Sequence, residues 1–75
     1  MTLTEIIRGA ASVNRAADAL IRRGAGRGLL SAQIAIAMAD EAHSYALNNE
    51  LERGTARLLD ARDQLKTARI CRTIK

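Results

Sequence analysis

Residues 22–28 have the sequence RRGAGRG and lie between two long segments whose apolar residues recur at helical spacing. Glycine adopts positive φ without steric cost and is the usual residue directly after the C-terminus of a helix. A glycine loop that cradles a phosphate instead precedes a helix, usually follows a strand, and has a different glycine spacing. The stretch therefore predicts that one helix ends near Arg23, that residues 24–28 form a linker, and that a second helix follows.

Residues 2–23 have the pattern of an amphipathic helix. Thr2 and Glu5 have the spacing of a capping box, in which each side chain accepts a hydrogen bond from the backbone of the other residue. The apolar residues form a seam with a period near 3.5, as in coiled coils. Small residues such as Ala10 and Ala17 alternate with large ones on this seam, so a neighbouring helix could approach closely.

The segment after the linker allows two interpretations. Asparagines at residues 48–49 and Gly54 favour a break, whereas the absence of proline favours one continuous helix. We expect an all-α fold, an antiparallel helical hairpin whose second helix is long or kinked and covers about residues 30–71. The alternative is a three-helix bundle with a break at residues 48–49. Either way the chain forms one helical domain, residues 1–75.

The composition predicts a core too thin for one chain. The 75 residues include no Phe, Trp or Pro and one tyrosine, Tyr45. Buried alanine removes little area from water, at about 25 cal/mol per Å², and small scaffolds usually need a disulfide, a metal or a partner subunit. Cys71 is the only cysteine, which excludes an intrachain disulfide and indicates a reducing, cytoplasmic location. We therefore expect a homodimer that forms through a coiled-coil seam of Leu47, Leu51, Leu58 and Leu65.

The net charge of +4 is unevenly distributed. Residues 1–28 carry five arginines against two carboxylates, and residues 53–75 carry seven basic residues against two carboxylates. Residues 29–52 carry four carboxylates and no Lys or Arg. Arginine suits bidentate contact with carboxylates or phosphates, and two apolar residues outside the leucine seam could add a docking surface. The candidate partner-binding residues form two arginine stripes, Arg8, Arg15 and Arg22 on the first helix and Arg62, Lys66 and Arg69 on the last, together with Leu59 and Ile70.

No catalytic, cofactor or metal site is predicted. His43 is the only histidine, and Zn²⁺ usually requires about four nitrogen or sulfur ligands. An acid–base catalyst also needs a pocket, and a thin helical assembly of alanine and leucine offers little room for one. We therefore do not expect an enzyme.

Sequence-specific DNA recognition and membrane insertion are not expected either. A recognition helix needs basic or amide side chains at base edges, but residues 29–48 contain no Lys or Arg and carry Asp40 and Glu41. Single-strand binding normally uses several aromatic platforms, and the chain offers only Tyr45. The longest apolar run, residues 34–39, is far shorter than the roughly 20 residues of a membrane span.

The remaining expectation is a small protein–protein interaction module. It would act as a regulator or inhibitor that docks on another protein, and its size suggests a phage or other mobile element as its source. One alternative is an accessory protein that binds nucleic acid without sequence preference through the arginine stripes. A second alternative is a structural oligomer or assembly subunit.

Overall fold

The protein is described here over residues 1–73, in a computed structural model that contains three α-helices within that range. They are α1 (Leu3–Arg22), α2 (Leu29–Leu47) and α3 (Leu51–Thr73), and a short 3₁₀ helix, Gly26–Gly28, precedes α2. No strand occurs in the described part of the chain, so the all-α class is confirmed. Lys75, counted above among the basic residues, lies outside the described residues.

The start of α1 has the capping box expected from the sequence. The backbone N–H of Glu5 donates to Thr2 Oγ1 at 3.2 Å, and the backbone N–H of Thr2 donates to Glu5 Oε1 at 3.0 Å. The hydrogen bond from the Thr2 backbone, with a smaller contribution from the Thr2 side chain, lowers the pKa of Glu5 below its ordinary value. These contacts fix the first turn of α1 at the predicted position.

The end of α1 depends on a glycine in the left-handed region. Gly24 has φ +92°, and its N–H donates to the carbonyl of Ile21 at 3.1 Å. This is a common C-terminal cap, because glycine pays no steric penalty at positive φ. The predicted linker at residues 24–28 therefore begins where the helix can no longer continue.

A second reversal separates α2 from α3 at residues 48–50. Asn49 has φ +59°, its N–H donates to the Ala46 carbonyl at 2.9 Å, and the Glu50 N–H donates to the Tyr45 carbonyl at 2.8 Å. This pair of hydrogen bonds is the Schellman arrangement that closes a helix C-terminus. The long or kinked second helix expected over residues 30–71 is therefore not observed, and three helices separated near residues 48–49 are found, as in the alternative. Asn49 ends α2.

The two reversals place α1 and α3 side by side and parallel, with α2 antiparallel to both. Gly9 of α1 lies against Leu58 of α3, so close that a Cβ at position 9 would be 2.5 Å from Leu58 Cδ2. Near the other end, Gly28 lies directly against the backbone of Ala68. The molecule is elongated, with principal extents of 41 × 17 × 14 Å.

The core is built largely from alanine. Among the described residues, ten of the fifteen buried apolar side chains are alanines, and Ile6 and Leu58 are the largest that are fully buried. With only methyl groups between them, the helices approach closely and gain dispersion contacts between backbones. The central stripe of α2 consists of Ala32, Ala35, Ala39, Ala42 and Ala46.

The leucine seam of α3 faces the interior of its own chain. Leu58 is fully buried, Leu65 is 6% exposed, and Leu51 packs partly buried against the same core. Leu58 and Leu65, which were expected to face a second copy, are buried within the chain because the break at residues 48–50 folds α3 back onto α1 and α2. Leu47, at the end of α2, is 67% exposed. No helix within residues 1–73 combines the length and apolarity needed to cross a bilayer.

Candidate anion-binding groove at the basic end

One end of the molecule collects most of its basic side chains. The last turns of α1, the linker and the last turns of α3 meet there, and residues 16–28 and 66–72 contain six cations against one carboxylate. That carboxylate, Asp18, pairs with Arg22 at 3.0 Å. We call this region the basic end. Its exposed cations are Arg22, Arg23, Arg27, Lys66, Arg69 and Arg72.

A groove between α1 and α3 opens at the basic end. Its floor is apolar, and its rim carries the arginine that follows α1 and two arginines from α3. Small side chains on α1 leave this space because they do not fill the gap between the two parallel helices. The volume is about 400 Å³, and the lining residues are Ala16, Ala19, Leu20, Arg23, Arg69 and Arg72. We call this feature the arginine groove.

The positive charge of the arginine groove is not neutralised by the rest of the described chain. Arg23, Arg69 and Arg72 form no ion pair with any residue in 1–73, whereas Arg22, Arg53 and Arg57 do. Part of the enrichment has a structural cause, because cations near a helix C-terminus are stabilised by the helix dipole. That effect favours Arg23 and Arg72 at the ends of α1 and α3, whereas Arg69 lies about one turn further from the end of α3.

The two predicted arginine stripes lie on different surfaces. Arg8 and Arg15 are exposed on the outer face of α1, and Arg15 borders a shallow depression shared with α2. Arg62 of α3 lies across Gly9 of α1, and Arg69 belongs to the arginine groove. The structure therefore brings the α3 stripe to the α1–α3 face and leaves Arg8 and Arg15 apart from it, whereas Arg22 lies at the basic end.

Arg23 and Arg72 were not among the candidate residues from the sequence. Arg72 follows Arg69 by one helical turn and was within reach of the same spacing argument. Arg23 was not, because it meets the α3 arginines only when α1 and α3 run in the same direction. The second reversal, at residues 48–50, sets the direction of α3 relative to α1.

The two apolar candidates do not form one patch. Leu59 and Ile70 are 49% and 53% exposed on the outer side of α3, and eleven residues of helix separate them by about 16 Å. Leu59 lies in a second shallow groove of about 360 Å³, beside Met1 and Leu51. Ile70 is not among the residues that line that groove.

The only histidine and the only cysteine of the chain lie on different helices. His43 is exposed on α2, and Cys71 is a half-buried free thiol near the end of α3. Across the described residues, no three side chains among His, Cys, Asp and Glu are grouped closely enough to hold a metal ion.

The sequence matches no protein-family model, and no similar curated protein or solved structure was found.

Proposed function

We propose that this chain is a small regulator or inhibitor that acts by docking on another protein. The observation that carries the proposal is the arginine groove, in which charged walls without partners in the described chain surround an apolar floor. Arginine and apolar side chains are both enriched at the centre of protein interfaces, where one supplies directed hydrogen bonds and the other supplies desolvation. A surface of this composition suits a protein partner.

The apolar floor favours a protein over a nucleic acid. A phosphodiester backbone is recognised through charge and gains nothing from contact with Ala16, Ala19 or Leu20. An acidic protein segment carries carboxylates and apolar side chains together, so it can use the rim and the floor at once. Tyr45 is half-buried and far in sequence from the groove, which leaves the groove without a base-stacking platform.

The test is quantitative capture from a lysate of the native source. The protein is compared with a variant in which Arg69 and Arg72 are replaced by Glu, and with a control in which Arg8 and Arg15 are replaced by Glu. Both variants lose the same charge at exposed positions, so both should keep the helical circular dichroism spectrum. We expect one or a few proteins to be captured by the wild type and the control and lost by the groove variant. The docking function would be refuted if no captured protein were lost in either arginine variant.

Nucleic-acid binding is a second candidate function, favoured by the six cations at one end. Fluorescence anisotropy with a labelled duplex in a salt series tests it, because phosphate contacts weaken steeply as salt rises. Absence of binding at low salt would remove this candidate.

Self-association and a cytoplasmic location are also proposals. Because Leu58 and Leu65 are enclosed, a homodimer or larger structural oligomer has to use apolar residues that remain exposed, such as Leu30, Leu47 and Leu59. Sedimentation velocity of the wild type across a concentration series tests this, and a single monomeric species throughout would refute it. The lone thiol of Cys71 supports a reducing compartment, and cell fractionation tests the location.

A further inference from the structure

We infer that the arginine groove binds an acidic amphipathic helix of the partner, with glutamate or aspartate side chains on the rim and one apolar side chain on the floor. This inference rests on the proposed docking function and names the chemistry of the segment that docks.

The first support is the shape of the groove. It lies between two parallel helices, and a shallow channel of this kind is a common place for an amphipathic helix to bind. Its volume of about 400 Å³ is near the lower end of the ~300–1,000 Å³ typical of small-molecule sites. The groove therefore holds one or two side chains of a docked helix rather than the helix itself.

The second support is the placement of charge on both walls. Arg23 stands on the α1 side, and Arg69 and Arg72 stand on the α3 side. Residues three apart on a helix are separated by about 4.5 Å along its axis. This spacing matches carboxylates three or four residues apart on a partner helix, and each arginine can hold a carboxylate through two parallel hydrogen bonds.

The third support is the continuation of the basic wall toward the middle of the molecule. Arg62, Lys66, Arg69 and Arg72 follow one another at steps of four, three and three residues, so they lie along one side of α3. Together they cover about 15 Å of helix, and Arg62 reaches across Gly9 of α1. A partner helix of roughly three turns with an acidic stripe would be complementary along this length.

The direct test uses synthetic helical peptides labelled with fluorescein. One peptide carries a leucine flanked by glutamates at helical spacing, and its control replaces every glutamate with glutamine. Anisotropy titrations measure the Kd of each peptide for the wild-type protein. We expect the acidic peptide to bind and the glutamine peptide to bind at least about tenfold more weakly, because the charge-assisted hydrogen bonds are lost.

Matched variants locate the binding. Replacement of Arg69 and Arg72 by Gln should weaken the acidic peptide by about tenfold, whereas the same replacement of Arg8 and Arg15 should change the Kd by less than about twofold. Ala19→Phe fills the floor without changing the charge and should also weaken binding. All three variants alter exposed or half-buried positions, and circular dichroism verifies that they fold.

Three results would overturn the inference. They are equal binding of the two peptides, equal losses in the two arginine variants, and complete displacement of the acidic peptide by duplex DNA at equal charge concentration. A failure of the docking function itself would give a different result. In that case no protein captured from the lysate would depend on any of the exposed arginines. If instead a captured protein is lost only when Arg8 and Arg15 change, the docking function stands and the arginine groove is the wrong site.

Discussion

The two chain reversals of this protein perform the same task by different means. The first, residues 24–28, has three glycines and is partly built into the core, with Ala25 and Gly28 buried. The second, residues 48–50, contains no glycine and is exposed throughout. It is closed by backbone hydrogen bonds around Asn49, whereas the first also packs against α3.

The difference shows that a turn can be fixed by its surroundings or by its own backbone. Gly28 has helical backbone angles, φ −84° and ψ −1°, so its conformation suits any residue. Glycine is required at this position because the backbone of Ala68 leaves no space for a Cβ atom. A Cβ at Gly24 would have no neighbour within 4 Å, and Asn49 is exposed. At these two positions the constraint on the residue type is the positive φ.

The largest expected effect is that of Gly28→Ala. A Cβ at this position would overlap the carbonyl oxygen of Ala68, and backbone atoms of a packed helix cannot rotate away. We expect the free energy of unfolding to fall by about 3 kcal/mol, the upper part of the usual cost of overpacking. Urea denaturation followed by far-UV circular dichroism measures this change.

Gly9→Ala is the matched control for that prediction. Its new methyl group would meet the end of the Leu58 side chain, which can shift, and it would gain up to about 1 kcal/mol of helix propensity. The loss of stability should therefore be clearly smaller than for Gly28→Ala. Equal losses would show that the rigidity of the Ala68 backbone is not the cause.

A smaller effect is expected for Gly24→Ala. Nothing lies within 4 Å of a Cβ at this position, so the cost comes only from holding an L-residue at φ +92°. We expect a loss of about 1.5 kcal/mol in the same denaturation experiment. Gly24→Asn should lose less, because asparagine tolerates positive φ better than alanine. A loss for asparagine as large as that for alanine would argue against backbone strain.

The first reversal was predictable from sequence and the second was not. Residues 24–28 contain three glycines between two helical patterns, a local signal with few interpretations. Asn49 is ambiguous, because asparagine is common both at the start of a helix and in the left-handed position that ends one. Which role Asn49 takes depends on whether the free energy of the chain is lower when α3 continues α2 or when α3 packs back on α1.

The leucine seam shows the same limit. The spacing of Leu58 and Leu65 identified a buried face of α3 correctly, but the same spacing fits a second chain or the chain's own α1. Side-chain area alone makes the core look thin, but alanine and glycine let the helices approach closely, and this approach adds contacts between backbones.

The candidate site was predictable only in part. Helical spacing identified Arg62, Lys66 and Arg69 as one stripe, and all three are exposed. The arginine groove also needs Arg23 and the space left beside Ala16 and Ala19. These residues come together only when α1 and α3 are parallel neighbours, which is a property of the whole fold.

The smallest expected effect is that of Asn49→Ala, because the wild-type asparagine is itself partly strained at its φ of +59°. We expect a loss of about 1 kcal/mol, and Asn49→Gly should match or slightly exceed wild-type stability. Denaturation measures both changes, and light scattering measures the size of the folded species. If Asn49→Ala instead formed an elongated dimer with increased helix content, α2 and α3 would have fused into one helix. Leu58 and Leu65 would then face a second copy, and one substitution at residue 49 would separate the three-helix chain from the long helical hairpin.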